Sequence, residues 1–372
     1  MAWTRRARQT ASALAALALG ASLAATSPAP VGAGGPPPSD TIVLVPYEGT
    51  TTAFVNDGAT TTASYIPVTD GIIEGNFSAA PGSDVLVFGV GSAPDGIIHV
   101  TPTETSVAPS FRAETINRYY DTTVGDFDGN GIDDVFWFGA GNAPDSIWFF
   151  QPDGSHEIVH HNVWGQYLPF ALDADGNGQD DIFWYAPGTA ADSLWLFGAG
   201  ANVTKRSVRV DGHYAPIVGQ FRAVSEGSPQ DQVHWHDGQG RDSLWTFSSS
   251  ANHTSHAVPD VDGSGVYPLV GHYLDGYGDM IFWYRPGSNV ETLTGYDAEN
   301  QPLVVEPPAV NGIYTPLVGD FEGDGSDDIA WTQGGRLDIW ELGNSGHVYT
   351  QTWISTPYHQ TVPAVARVPD EP

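Results

Sequence analysis

The 372-residue chain contains no cysteine. That excludes disulfides, thiolate chemistry and a lipid-anchored cysteine, so stability must come from core packing or from bound metal. Basic residues are also scarce, 13 Lys and Arg against 44 Asp and Glu, for a net charge of −31. A chain this acidic repels nucleic acid and anionic membrane and attracts cations. Long apolar runs are missing except at the start, where Arg5, Arg6 and Arg8 precede an Ala/Leu segment from Ala11 to Ala25. This run is too short to span a bilayer, and Ser22, Ala24 and Ala25 offer a small-residue cleavage site. Residues 1–26 therefore read as a secretory signal peptide, which implies a secreted, extracellular protein without membrane insertion. The Arg5-Arg6 pair faintly suggests a twin-arginine signal, but Ala7-Arg8-Gln9 lacks the apolar residue expected there, so the export route stays open. Cleavage leaves ten basic residues against the same 44 acidic ones, a net charge of about −34. The stretch SPAPVGAGGPPPS at 27–39 reads as a flexible or polyproline leader ahead of one folded unit, 40–372, expected to be a monomer.

What the chain does have is aromatic content, 12%, and 44 glycines, arranged periodically. The segments at 125–150, 171–197, 218–247, 270–287 and 318–342 are copies of one unit, and 74–100 is a weaker copy. Aligned at the start of their acidic loops, the copies begin at Asn76, Asp126, Asp173, Gln220, His272 and Asp320, spaced 50, 47, 47, 52 and 48 residues apart. A period near 48 built from short β-branched and aromatic runs, without sustained helical periodicity, points to an all-β propeller with blades of four antiparallel strands. The ends supply the closure. VPAVARV (362–368) matches the first strand of a unit, and DTIVLV (40–45), TTAFVND (51–57) and TTTASYI (60–66) match strands two to four. Six internal units and this shared one predict seven blades, with no open edge.

Three copies carry an intact acidic loop: DFDGNGIDD, DADGNGQDD and DFEGDGSDD. Alternate residues of a tight loop can aim several oxygens at one hard cation. The candidate ligands are Asp126, Asp128, Asn130, the carbonyl of Ile132 and Asp134. In the second loop they are Asp173, Asp175, Asn177, the carbonyl of Gln179 and Asp181. In the third they are Asp320, Glu322, Asp324, the carbonyl of Ser326 and Asp328. Gly131, Gly178 and Gly325 hold the sharp sixth position. An EF-hand would place a bidentate Glu at position twelve, where this chain has Trp137, Trp184 and Trp331 inside strand runs. The loop is thus a hairpin connection whose last carboxylate comes at position nine. On these residues, from about 40 to 368, the chain resembles the FG-GAP or VCBS repeat family, the calcium-loop propellers related to the head of integrin α chains. About three structural Ca2+ sites are expected, coupled to folding because clustered carboxylates repel one another without a cation. The other copies, 76–84, 220–232 and 272–280, lack the alternate carboxylates and receive no metal.

Other features are weaker. His234 and His236 share a strand face and could chelate zinc, perhaps with His253 or His256, but hydrogen-bonded or half-exposed imidazoles are the better reading. Lys205, Arg206 and Arg209 fall on an outer strand, where charge guards against edge pairing. The recurring tryptophans could stack on sugars, but their place in strands favours packing between blades. No Cys nucleophile, G-x-S-x-G elbow or HExxH is present. The family resemblance implies that ligands meet the face opposite the calcium loops, at the second-to-third strand turns 139–145, 186–192, 236–242 and 285–291. Asp145, Asp192 and Asp242 recur there, as turn formers do, whereas Arg241 and Arg285 break the repeat and are the candidate ligand contacts. Two functions follow: a binding or adhesion module for a glycan or extracellular protein, or a carbohydrate-active enzyme, lyase or glycosidase, on the same scaffold.

Overall fold

The computed structural model describes residues 40–366 except 47–50, 57–58, 65–70, 81–82, 89–94, 103–106, 117–119, 140–143, 223–229, 262–264, 275, 289, 298, 322, 334–335, 343–347 and 356–360. The expected signal peptide and leader, at 1–26 and 27–39, lie outside the described residues, as does Glu322.

Every named element is a strand. The first three are β1 (Thr41–Pro46), β2 (Thr51–Asn56) and β3 (Ala59–Ser64). One blade follows from β4 (Gly71–Gly75), β5 (Ser83–Phe88), β6 (Asp95–Pro102) and β7 (Val107–Glu114), and the next from β8 (Asp121–Gly125), β9 (Asp134–Phe138), β10 (Asp145–Phe150) and β11 (His156–His161). The third comprises β12 (Leu168–Leu172), β13 (Asp181–Tyr185), β14 (Asp192–Gly198) and β15 (Asn202–Val208). The fourth has β16 (Ala215–Gly219), β17 (Gln232–His236), β18 (Ser243–Phe247) and β19 (His253–Ala257). β20 (Tyr267–Gly271), β21 (Met280–Tyr284), β22 (Thr292–Tyr296) and β23 (Pro302–Val305) make the fifth. β24 (Thr315–Gly319), β25 (Asp328–Gln333), β26 (Arg336–Leu342) and β27 (Val348–Ser355) make the sixth, and β28 (Thr361–Ala366) ends the series.

Each run of four pairs in chain order as an antiparallel sheet, so the protein is an all-β propeller with four-stranded blades. Six blades, rather than the seven expected, are built from consecutive strands. The remaining strands come from both ends of the chain and form a mixed-origin sheet in the order β28-β1-β2-β3, with Ile42 opposite Val365 and Val43 opposite Ala364.

Sequence explains the layering within a blade. Second strands such as β9, β13 and β21 are buried at all five positions and apolar at the last four, because a neighbouring blade covers each face. Their central Trp137, Trp184, Trp235, Trp283 and Trp331 are fully buried. Each pairs across to a Thr or Pro on the first strand: Thr122, Pro169, Pro216, Pro268 or Pro316. Proline is tolerated there because the first strand has one unpaired edge. Burying an indole removes about 150–250 Å² from water, worth about 4–6 kcal/mol before entropy. The cores lie between blades: Phe170, Phe183 and Tyr185 of the third pack with Trp235, Trp245 and Phe247 of the fourth. Fourth strands, by contrast, are largely exposed.

Candidate metal loops and the opposite face

The three acidic loops join first to second strands, and their folding starts from the first aspartate. Asp126 accepts the amide hydrogens of Gly129 (2.8 Å), Asn130 (3.0 Å) and Gly131 (2.8 Å). Asp173 does the same for Gly176, Asn177 and Gly178, and Asp320 for Gly323, Asp324 and Gly325. This wrap requires a left-handed sixth residue, and Gly131, Gly178 and Gly325 have φ of 81°, 82° and 91°. The fifth residues follow suit: the side-chain oxygens of Asn130, Asn177 and Asp324 accept the amides of Ile132, Gln179 and Ser326. The Asn130 and Asn177 amide groups also donate to the carbonyls of Phe150 and Phe197 on the third strand of their own blades.

The ninth residue has a different environment. Asp134 accepts Phe127 N–H at 3.0 Å and Phe150 N–H at 2.8 Å, and Asp181 accepts those of Ala174 and Phe197. Asp328 takes Phe321 N–H. Asp134 and Asp181 therefore pin the loop onto the third strand of their own blades as well as facing an acidic centre, whereas no such cluster forms among the described residues of the third loop. Carboxylate oxygens of Asp126, Asp128 and Asp134 lie within 4.8 Å of one another, as do those of Asp173, Asp175 and Asp181. Two oxygens bound to one calcium at about 2.4 Å are at most about 4.8 Å apart, so both donor sets fit that ion in hardness and spacing. Burial, reinforced by the charges of Asp128 and Asp126, pushes the Asp134 carboxyl up to about 9. Burial with Asp175 and Asp173 takes Asp181 to about 8. Asp126, Asp173 and Asp320 are raised by burial too, against the pull of their three amide donors.

The eighth residue carries a role that the ligand pattern conceals. Asp180 donates its N–H to the carbonyl of Asp126 in the preceding blade, and its carboxylate accepts Asp126 N–H at 2.9 Å. The same reciprocal clasp joins Asp133 to Asn76, Asp231 to Asp173, Asp279 to Gln220, Asp327 to His272 and Asp40 to Asp320. Six blade junctions are thus sewn at one end by aspartate. The signal was present in the sequence: Asp231 and Asp279 persist in loops that have lost every alternate carboxylate.

Antiparallel pairing puts the second-to-third turns and the blade-to-blade connections together at the other end. There Asp145, Asp192 and Asp242 are buried and spend their oxygens on backbone. They accept Gly139, Ala186 and Asp237 N–H from the turns, and Val163, Val210 and Val261 N–H from the connections. Arg241 is 67% exposed at its side chain, and its Nε is held by Asp237 at 2.9 Å within the same turn. Arg285 is half-buried, its carbonyl accepting Ser288 N–H. Sequence reasoning missed the exposed apolar residues of this face, Trp164 (70%), Ile313 (67%) and Val290 (62%), because they sit in connections outside the strand pattern.

The outer tryptophans are closed to ligands by fourth-strand side chains: His156 stacks on Trp148, His253 on Trp245, and Lys205 Nζ lies 3.5 Å above the Trp195 ring. Arg206 reaches the Ser250 carbonyl and Arg209 pairs with Asp211. His234 and His236 are hydrogen-bonded, with Asp242 rather than His253 or His256 as the shared partner. No helix among the described residues is long and apolar enough to cross a membrane.

Ring-shaped, all-β and four-stranded in its blades, the molecule belongs to the propeller architecture. No protein-family profile matches the chain, and no curated protein is similar to it. Solved structures are: an Agrocybe aegerita lectin, described by its specific recognition of non-reducing terminal N-acetylglucosamine, superposes with a TM-score of 0.67 over 89% of this chain and 96% of its own, at 11% identity. A protein from Lactobacillus plantarum gives 0.52 over 88% and 99%, at 8% identity. At such identities the likeness is one of fold.

Proposed function

We propose that this chain is a calcium-stabilised propeller of the FG-GAP or VCBS type, exported, which binds a glycan or an extracellular protein through the face opposite its acidic loops. The observation that carries the reading is the contrast between the two ends. At one end, loop carboxylates are committed to amides, to blade clasps and to two oxygen clusters of calcium spacing. At the other, Trp164, Ile313, Val290 and Arg241 stand exposed on a rigid ring. An exposed Trp suits the apolar face of a sugar or a protein hot spot. Calcium would be held by Asp126, Asp128 and Asp134, by Asp173, Asp175 and Asp181, and in the third loop by Asp320, Asp324 and Asp328. It would supply charge neutralisation and cross-linking, a structural service. The seven-bladed form of the reading takes β28-β1-β2-β3 as the closing blade. It is supported by β28 lying against both β24 and β4, and by the Asp40 to Asp320 clasp. The similarity to a lectin is one of fold and makes a glycan ligand a natural first test.

A glycan array followed by a turnover assay on any retained sugar separates the functions. Binding without cleavage, weakened at least tenfold by Trp164→Ala, supports the module. Cleavage of the bound sugar would replace it with the carbohydrate-active enzyme, and retention unaffected by Trp164→Ala together with Arg241→Ala would move the site off this face.

A further inference from the structure

The fourth blade lost its acidic loop and gained two imidazoles. At the strand positions where sister blades carry Phe136 and Phe138, Phe183 and Tyr185, or Phe282 and Tyr284, β17 carries His234 and His236, both buried. Placing a polar ring in an apolar strand is costly unless its nitrogens are satisfied. Here they converge on one atom. Asp242 Oδ2 lies 3.0 Å from His236 Nδ1 and 3.4 Å from His234 Nε2, and it also accepts Val261 N–H at 3.2 Å. Three donors crowd one oxygen, and the longest of these contacts is at the limit of a hydrogen bond.

We propose that His234 Nε2, His236 Nδ1 and Asp242 Oδ2 form a binding site for a borderline transition cation of the zinc class. The three ligand atoms lie within 4.8 Å of one another. Zinc at about 2.0–2.1 Å from each of three tetrahedral ligands holds them about 3.2–3.4 Å apart, close to the 3.0 and 3.4 Å that separate Asp242 Oδ2 from the two imidazole nitrogens. The supporting contacts are already in place. His234 Nδ1 meets Tyr296 Oη at 2.7 Å, which holds the ring with Nε2 toward Asp242, where a cation would take the place of the shared proton, and Asp242 Oδ1 is fixed by Asp237 N–H at 3.0 Å. Such second contacts orient imidazole ligands in metal sites. Burial keeps His234 below its ordinary range and therefore neutral, as a ligand must be. Burial opposes ionisation of Asp242, but its hydrogen bonds from His234 and His236 prevail and hold its carboxyl below the usual range. The site mixes nitrogen and oxygen donors, whereas the acidic loops offer oxygen alone, so the two classes of cation are sorted by chemistry. Asp145 and Asp192 perform the same turn duty as Asp242 without imidazoles, which makes the histidine pair an addition to the fold rather than part of it.

The test uses full-length protein stripped of transition metals and saturated with calcium. Zinc titration followed by calorimetry should show one tight site, and Co2+ should give the visible absorption of a four-coordinate ion. The double variant His234→Phe with His236→Tyr installs the residues of the sister blades, so it is expected to fold and to keep its calcium response. It should lose zinc affinity by at least 100-fold and lose the cobalt spectrum. Should the double variant fail to fold, His236→Gln alone serves, with the cobalt spectrum as readout. Tyr296→Phe should weaken zinc by about 10–100-fold through misorientation of His234. Absence of a tight site in the native protein would overturn the proposal. So would equal zinc binding by native and double-variant protein, which would put the ion on exposed imidazoles such as His160.

Discussion

Single residues do more than one job in this ring, and the eighth loop position shows it best. Asp231 has no metal-ligand neighbours in its own loop, yet its N–H and carboxylate close both halves of a clasp on Asp173. Burial first, then the nearby charges of Asp173 and Asp279, push its carboxyl up to about 7. An acid whose folded value exceeds its unfolded one holds a proton that unfolding releases, so its stabilisation is lost as pH rises from about 4 through about 7. Asp231→Asn keeps the acceptor without the charge. In urea titrations it is expected to be equal to or less stable than the parent at pH 5 and to gain relative to it at pH 8. Asp231→Ala, which orphans the Asp173 amide, should cost about 1–3 kcal/mol at either pH. A flat difference between parent and Asp231→Asn across that range would remove the buried-carboxyl account. The clasp aspartates fall one place before a strand and off the alternate positions, so a pattern of metal ligands does not reveal them. His234 and His236 were legible as oddities, but Asp242 was not legible as their partner, since pairing across a turn is set by tertiary geometry.

At the scale of elements, the strands were plain from the sequence because period, turn residues and apolar runs agree with one another. Their central tryptophans illustrate how the packing works. Trp184 is ringed edge-on by Phe136, Phe138 and Tyr167, with Trp195 tilted against it, and its indole N–H has no conventional hydrogen-bond partner. Trp184→Ala should therefore cost about 3–5 kcal/mol in chemical denaturation. Trp184→Phe should cost clearly less, because it deletes the unpartnered N–H along with part of the ring. Equal losses would mean that the N–H is satisfied by the aromatic faces around it. The acidic loops are elements as well, and here the prediction concerns metal. Calcium at 100 times its dissociation constant adds about 2.7 kcal/mol per site. Melting temperature should rise with calcium, fall on chelation, and lose its response stepwise in Asp128→Asn, Asp175→Asn and Asp324→Asn. The calcium increment should also grow with pH. Without the ion, Asp134 and Asp181 destabilise the fold progressively as pH climbs from about 4 toward their raised values, and the ion removes that repulsion. An unchanged transition in excess chelator at pH 8 would rule calcium out as a structural part. The 220–232 and 272–280 loops, which lack the alternate carboxylates, still keep Asp231 and Asp279 for their clasps.

For the whole molecule, what matters is whether the chain ends meet. Period counting placed a first strand at the C-terminus, and β28 does pair along its length with β1, six residues against six. A ring left open at that junction would bare the faces of the blades that begin with β24 and β4, against which β28 packs. Because the chain has no cysteine, one engineered pair reports the junction without ambiguity. Val43 and Ala364 are directly opposite each other in register, so Val43→Cys with Ala364→Cys should oxidise spontaneously to an intramolecular disulfide. The cross-link closes a loop of more than 300 residues, and the chain-entropy estimate gives a stabilisation of about 6 kcal/mol, less any strain. Mass spectrometry of the non-reduced protein identifies the bond, and denaturation with and without reductant measures its effect. A second pair, Val43→Cys with Thr361→Cys, is out of register by three residues and should not form under the same conditions. If both pairs oxidise equally, the ends are merely close and fluctuating, and the six consecutive-strand blades must hold the ring on their own. If only the in-register pair forms and raises stability, the two ends of the chain jointly supply the closing blade. The acidic loops and clasps then secure the remaining joints, and the opposite face is left as the rigid surface on which a ligand would be met.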